Sequence, residues 1–244
     1  MATTYITLCN DLLRRLNEVT FTTTGDGFDT AKNIQAISKD AVNSSIREIL
    51  QDGHQFPFLK VTQSKTLAAG TKTYDFESDM ASVDWDTFYL NELESASNTP
   101  RALPVIPFEQ YIQQYKSIED SSGTGGRSSP NIVYQTAEEK FGVTPIPDAA
   151  YVMEYVYYKF PDDLSSFSDT MIIPDRFKYI IIDGAMVYMM RFRSNEQSAQ
   201  IHQRKFDDGI KTMRRLLLDD PIAIRSTMIT RPRYSSANML SLSS

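Results

Sequence analysis

Apolar residues recur at two different periods along this chain, and the change of period divides it. Tyr5, Leu8, Leu12 and Leu16 follow Thr4 at helical spacing, which predicts a first helix with Thr4 as its N-cap. The run TFTTTGDG, rich in β-branched residues and glycine, ends that helix near Val19. A second stripe through Ile34, Ile37, Ala41, Ile46, Ile49 and Leu50 predicts a helix beginning near Asp29 and closed by Gly53, antiparallel to the first. In HQFPFLK, Phe56 and Phe58 flank Pro57, which favours an extended exit from the helical part.

Beyond this point the spacing becomes that of strands. KVTQSKTLAAGTKTYDF reads as two strands about a turn at Gly70, with Val61, Gln63, Lys65 and Leu67 on alternate positions. Val83, Trp85, Phe88 and Tyr89 suggest further strand, and YVMEYVYYKF, residues 151–160, is the strongest strand candidate. Its tyrosines suit a sheet core or surface, and aromatic-rich faces are also favoured at interfaces. Phe108, Tyr111, Ile112 and Tyr115 recur at helical intervals and predict a short helix over residues 108–116.

Helical texture returns at Pro174 and Asp175, residue types that suit a helix start. Phe177, Ile181, Gly184 and Tyr188 line one face, while Ile180, Ala185, Val187, Met189 and Met190 make other faces apolar too. Such a helix belongs at the centre of a bundle or at a subunit contact. Ser194 and Gln197 form a capping-box pattern for a last helix with the stripe Phe206, Ile210, Met213 and Leu217, stopped by Pro221. The expected fold class is therefore α+β. A discontinuous helical bundle, residues 1–57 and 172–220, has two N-terminal and two C-terminal helices, with the first and last packed together. A β-rich lobe, residues 58–171, is inserted between them, and residues 221–244 follow as an extended C-terminal arm.

Charge sharpens this picture. The 244 residues hold 25 Lys and Arg against 31 Asp and Glu, a net charge of −6. Residues 221–244 contain three arginines and no acid, so the preceding body has 22 basic against 31 acidic residues, or −9. An acidic body argues against a DNA-binding regulator, since such binding neutralises phosphates with Lys and Arg. The longest apolar run is broken by Asp183 and is too short to span a bilayer, and no export signal is visible, so no membrane anchor is expected. Cys9 stands alone, which excludes an internal disulfide and fits synthesis in a reducing compartment.

Candidate chemistry is sparse, and no catalytic residue, cofactor site or metal site is expected. His54 and His202 read as ordinary solvated or capping histidines, and no HxxxH, CxxC or DxDxDG spacing is present. The acid pairs Glu138–Glu139, Asp162–Asp163, Asp207–Asp208 and Asp219–Asp220 consist of neighbours that point in different directions. A cell-wall hydrolase would need two carboxyls converging across a cleft. The Gly- and Ser-rich residues 119–130 do not fit a phosphate loop. They read as a mobile loop, either a plain connection or a docking loop containing Gly123, Gly125, Gly126 and Arg127. Together with Tyr188 these are candidates for a contact between subunits or with a partner protein.

The tail either frays or docks. Met228, Ile229, Met239 and Leu240 are unusual for a frayed end. Arg225 adds charge, and Arg231, Pro232, Arg233 and Tyr234 place a proline between two guanidiniums beside an aromatic, residue types that concentrate binding energy. The tail is read as a docking arm.

Several local patterns resemble the head-to-tail adaptors of tailed bacteriophages, nearest to the tail tubular protein A, or gatekeeper, family of short-tailed phages. LCNDLLRRLNEVTFT is similar to their opening helix, and HQFPFLKVTQSKTLAAGTKTYDF to their aromatic pair, alternating strand, Gly-Thr turn and Tyr-bearing strand. IPDRFKYIIIDGAMVYM and SAQIHQRKFDDGIKTMRRLL resemble their two later helices. Phe56 stands where tryptophan is more usual, and residues 92–139 match no part of the pattern.

The resemblance implies a structural virion protein that acts in DNA ejection. Such a protein would be made in the host bacterial cytoplasm and placed at the head-tail junction. It would form a homo-oligomeric ring of twelve copies between the portal protein and the tail nozzle protein. DNA would pass through the ring without sequence-specific binding, and the C-terminal arm would lodge against the portal. A tail-completion or baseplate ring is the nearest alternative, and a virion-associated cell-wall hydrolase the alternative of another class.

Overall fold

The computed structural model describes residues 3–22, 25–51, 55–91, 101–136 and 140–218, with backbone alone at 121, 122, 124 and 125. In chain order the elements are α1 (Tyr5–Arg15), α2 (Ile34–Gln51), β1 (Lys60–Leu67), β2 (Thr73–Asp75), β3 (Met80–Asn91), β4 (Arg101–Ala102) and β5 (Val105–Ile106). Then follow α3 (Phe108–Tyr111), α4 (Ser117–Ser122), β6 (Ile132–Gln135), β7 (Lys140–Thr144), β8 (Tyr151–Lys159), α5 (Lys178–Phe192) and α6 (Glu196–Leu217). The protein is a mixed α+β fold.

One core is helical. The stripe Tyr5, Leu8, Leu12 and Leu16 is buried, as its spacing demands. α1 stops before Val19, because Asn17 takes a positive φ of 56° and turns the chain out of the helix. α2 begins at Ile34 rather than near Asp29. Asn33 has φ 53°, a left-handed conformation in which no right-handed helix can begin earlier. The expected stop at Gly53 lies outside the described residues, and α2 runs to Gln51.

Pro174 and Asp175 lead first into a 3-10 turn, Asp175–Phe177, and α5 follows directly. Asp175 Oδ1 accepts the backbone N–H of Thr3 at 2.7 Å, tying the start of the chain to the start of α5. Residues on several faces of α5 are buried, among them Ile181, Ile182, Ala185, Met186, Val187 and Met189, so this helix occupies the centre of the helical core. α6 packs on α5, and α1 has α2 and α5 as its main neighbours. The direct pairing expected between first and last helices thus gives way to contacts made through α5.

Gly184 lets this happen, since a Cβ there would overlap the Ser45 hydroxyl of α2 and meet the Phe206 ring of α6 at 2.6 Å. Ser45 Oγ uses the closeness to donate to the Ile181 carbonyl at 2.9 Å. The cap of α6 is Asn195 rather than Ser194. Asn195 Oδ1 accepts from Ser198 N–H at 3.1 Å, and Ser194, with φ 54°, belongs to the turn that ends α5.

The second core lies between two four-stranded sheets, ordered β1-β8-β3-β4 and β2-β7-β6-β5. Leu67, Phe88, Met153 and Tyr155 of the first meet Tyr74, Val133, Phe141 and Val143 of the second. β8 is central, pairing with β1 and β3, and its Met153, Tyr155 and Tyr157 point inward at strand spacing. The two strands about Gly70 form, but they do not pair with each other. β1 pairs with β8 and β2 with β7, in different sheets. The turn between them is anchored elsewhere: Gly70 N–H donates to the Pro147 carbonyl at 2.8 Å, and Tyr74 Oη donates to the Thr71 carbonyl at 2.8 Å.

At the junction of the two cores Phe56 is buried and stacks on Phe58, centroids 5.2 Å apart. The returning chain after β8 is strapped to α2. Asn43 Nδ2 donates to the Leu164 carbonyl at 2.9 Å, and Arg47 Nε donates to Asp163 Oδ1 at 2.7 Å.

Candidate interaction surface

Pro107, in extended backbone, introduces α3, and a π-helical turn, Ile112–Lys116, carries it into α4. The expected short helix is therefore present, but it continues through Ser122 and a 3-10 turn, Gly123–Gly126. The segment expected to be a loop, residues 119–130, is wound as far as Gly126. The cause is a pair of side-chain anchors: Tyr111 Oη donates to Glu119 Oε2 at 2.7 Å, and the Thr144 hydroxyl of β7 donates to Glu119 Oε1. Burial pushes the Tyr111 phenol up, and the adjoining Glu119 carboxylate raises it further.

The Tyr111 ring lies flat on that of Tyr134 from β6, centroids 3.8 Å apart and planes within 6°. Tyr134 in turn lies across Gly142 of β7, where a Cβ would overlap its ring. Glycine at 142 is what lets an aromatic ring sit directly on the sheet backbone. Phe108 extends this wall, stacked 6.3 Å from Tyr134. Together these rings bound a groove of about 270 Å³ whose remaining sides are Lys72, Thr73, Lys116, Thr136 and Lys140.

Residues 3–231 match the model of the SU10 adaptor protein family, nearly the whole chain. The chain belongs to that family. The expected likeness to phage head-to-tail adaptors therefore holds at the level of the family, and the protein is a structural adaptor of the virion that interacts with other virion proteins. No curated protein matches it. Among the described residues of this SU10 adaptor no helix is long and apolar enough to cross a membrane.

The residues singled out in the sequence fall in three places. Gly123 is exposed with φ 53°, a conformation that favours glycine. Gly126 closes the 3-10 turn that contains Gly125, and Arg127 lays its guanidinium over Gly70, whose Cβ would stand 3.1 Å from Nη1. Ser128 N–H bonds the Ile146 carbonyl at 3.0 Å, so this segment rests on two other turns of the β lobe. Tyr188 is remote from them. It is half-buried, and its hydroxyl donates to Glu48 Oε2 at 3.0 Å, linking α5 to α2. The arm residues Arg225, Met228, Ile229, Arg231, Pro232, Arg233, Tyr234, Met239 and Leu240 lie outside the described residues, as do His54, Glu138–Glu139 and Asp219–Asp220.

His202 does not stand free in solvent. Its Nδ1 lies 3.2 Å from Asp183 Oδ1, the same oxygen that accepts from Arg15 Nη1 at 3.0 Å, so three helices meet at one carboxylate. Asp207 and Asp208 sit within α6; Asp207 accepts from Gln203 and Asp208 pairs with Lys211. Among the described residues no group of His, Cys, Asp and Glu could hold a metal ion. The lysine-rimmed aromatic groove was not foreseen. Its parts are scattered from Lys72 to Lys140, and the only local signal was the recurrence of Phe108 and Tyr111 on one short helix.

Proposed function

We propose that this SU10-family adaptor forms a closed ring at the head-tail junction, twelve copies around one axis, between the portal and the tail nozzle. The helical lobe, residues 1–57 and 172–220, is the ring body; the β lobe, residues 58–171, is presented to the nozzle; and the arm, residues 221–244, lodges against the portal. The observation that carries this reading is the family match from residue 3 to residue 231, which runs through both lobes and into the arm. Closure of such a ring needs two different faces of each subunit to meet. The exposed Phe192, Ile201 and Leu216 of α5 and α6 supply apolar surface that a neighbour would cover.

The charge balance supports the channel role. A body with 22 basic and 31 acidic residues makes few phosphate contacts, so DNA slides past it rather than adhering. The ring grips proteins, transmits DNA without reading its sequence, and performs no catalysis. It is made in the bacterial cytoplasm and resides in the virion. The test is deletion of residues 225–244. The truncated protein keeps its fold by circular dichroism and no longer co-sediments with portal rings; undiminished co-sedimentation refutes the arm's role.

A further inference from the structure

The groove beside α3 has a composition unlike the rest of the molecule. In a chain of net charge −6 it is edged by Lys72, Lys116 and Lys140, and no carboxylate among the described residues lines it. Its wall is aromatic, formed by Phe108, Tyr111 and Tyr134. We propose that this groove docks an extended acidic segment of a partner virion protein, seating an apolar side chain against the three rings while flanking carboxylates meet the three lysines. The proposal takes from the family reading only that the partner is a virion protein.

Two neighbouring acids, Glu119 and Asp75, are already engaged. Glu119 accepts from Tyr111 and Thr144 on the inner side of the helix, and Asp75 pairs with Lys140 at 3.3 Å from a position 77% exposed. An incoming carboxylate can compete with Asp75 at little cost, since an exposed ion pair of this kind is worth roughly 0–1 kcal/mol. The wall is pre-built, because the Tyr111–Tyr134 stack is fixed by Gly142 below and by the Glu119 hydrogen bond beside it. Little ordering entropy remains to be lost on binding. Lys116 belongs to the π-helical turn, a rare geometry that recurs at functional sites. The groove's 270 Å³ is just below the range for small-molecule pockets, about 300–1,000 Å³, and suits one or two anchor side chains rather than a folded surface. A DNA duplex presents no side chain to fill an aromatic recess and would need a broad basic face, which this acidic body lacks.

The experiment is fluorescence anisotropy of the full chain with a labelled short peptide alternating glutamate with phenylalanine and leucine. The same peptide with lysine for glutamate and a short single-stranded oligonucleotide serve as comparisons. Saturable binding of the acidic peptide is expected, falling by at least about tenfold in Lys116→Glu and Lys72→Glu, and falling with salt. Phe108→Ser should weaken it as well. Lys116 is exposed, so Lys116→Glu should keep the wild-type melting temperature. Absence of saturable binding, equal binding by the charge-reversed variants, or preference for the oligonucleotide or the basic peptide would overturn the proposal. Portal co-sedimentation is scored separately on the same variants, so loss of the peptide site and loss of ring attachment are told apart.

Discussion

Cys9 shows how completely a side chain can be withdrawn from chemistry by its position. It lies on the inner face of α1 with no exposed surface, and burial pushes its thiol up to about 12, against smaller opposing effects led by Lys39. At pH 8 the thiolate is then about 10⁻⁴ of the population, and only the thiolate attacks. Native protein should therefore leave a disulfide reagent such as Ellman's unreacted, with one thiol appearing on unfolding; rapid native reaction would contradict the packing. Gly142 makes the opposite point, a position where the absence of a side chain matters. Gly142→Ala would drive a methyl into the Tyr134 ring and disturb the Tyr111 stack, costing roughly 1–3 kcal/mol in urea unfolding. Unchanged stability and unchanged near-ultraviolet circular dichroism would contradict it. Only one of the two positions can be read from sequence. Cys9 stands on a stripe that any helix would bury, whereas nothing around Gly142 announces a tyrosine that arrives from β6.

Elements were legible where one face repeats and illegible where a single residue decides a boundary. α1, β8 and α6 follow their stripes, with Leu12, Tyr155 and Phe206 buried as their spacing requires. The start of α2 and the cap of α6 moved because Asn33 and Ser194 adopt positive φ, a choice made by tertiary packing. The meeting of helices at Gly184 gives a test at this scale. Gly184→Val would force α2 and α6 away from α5 and should destabilise the helical core by about 1–3 kcal/mol, read as a lower urea midpoint. Wild-type stability would mean that the helices do not approach as described.

The segment joining β8 to α5 provides a pH-dependent test. Asp169 Oδ2 accepts from the backbone N–H groups of Ser165 and Ser166 at 2.8 and 2.7 Å, and these bonds lower its pKa below the ordinary carboxylate value. A depressed carboxylate pKa contributes stability above the unfolded value, and that contribution is lost as pH falls through the folded value. Asp169→Ala should therefore melt below wild type at pH 7, with the gap narrowing as pH falls below the ordinary carboxylate range. A gap that stays equal as pH falls would contradict that linkage.

At the scale of the whole molecule, alternation and helical periodicity revealed the layout of helices, strands, then helices. The partition of strands between two sheets was hidden, because Gly70 looks like a hairpin turn and Pro147 is what holds it instead. The groove was hidden for the same reason, since Lys72, Phe108, Tyr134 and Lys140 become neighbours only when the second sheet has formed. We propose that this SU10-family adaptor works as a ring that joins head to tail. The most direct measurement is electron microscopy of the full chain mixed with portal. Closed rings of twelve copies, seated coaxially on the portal around an open channel, are expected. Single subunits scattered without symmetry, or rings that never engage the portal, would contradict the proposal.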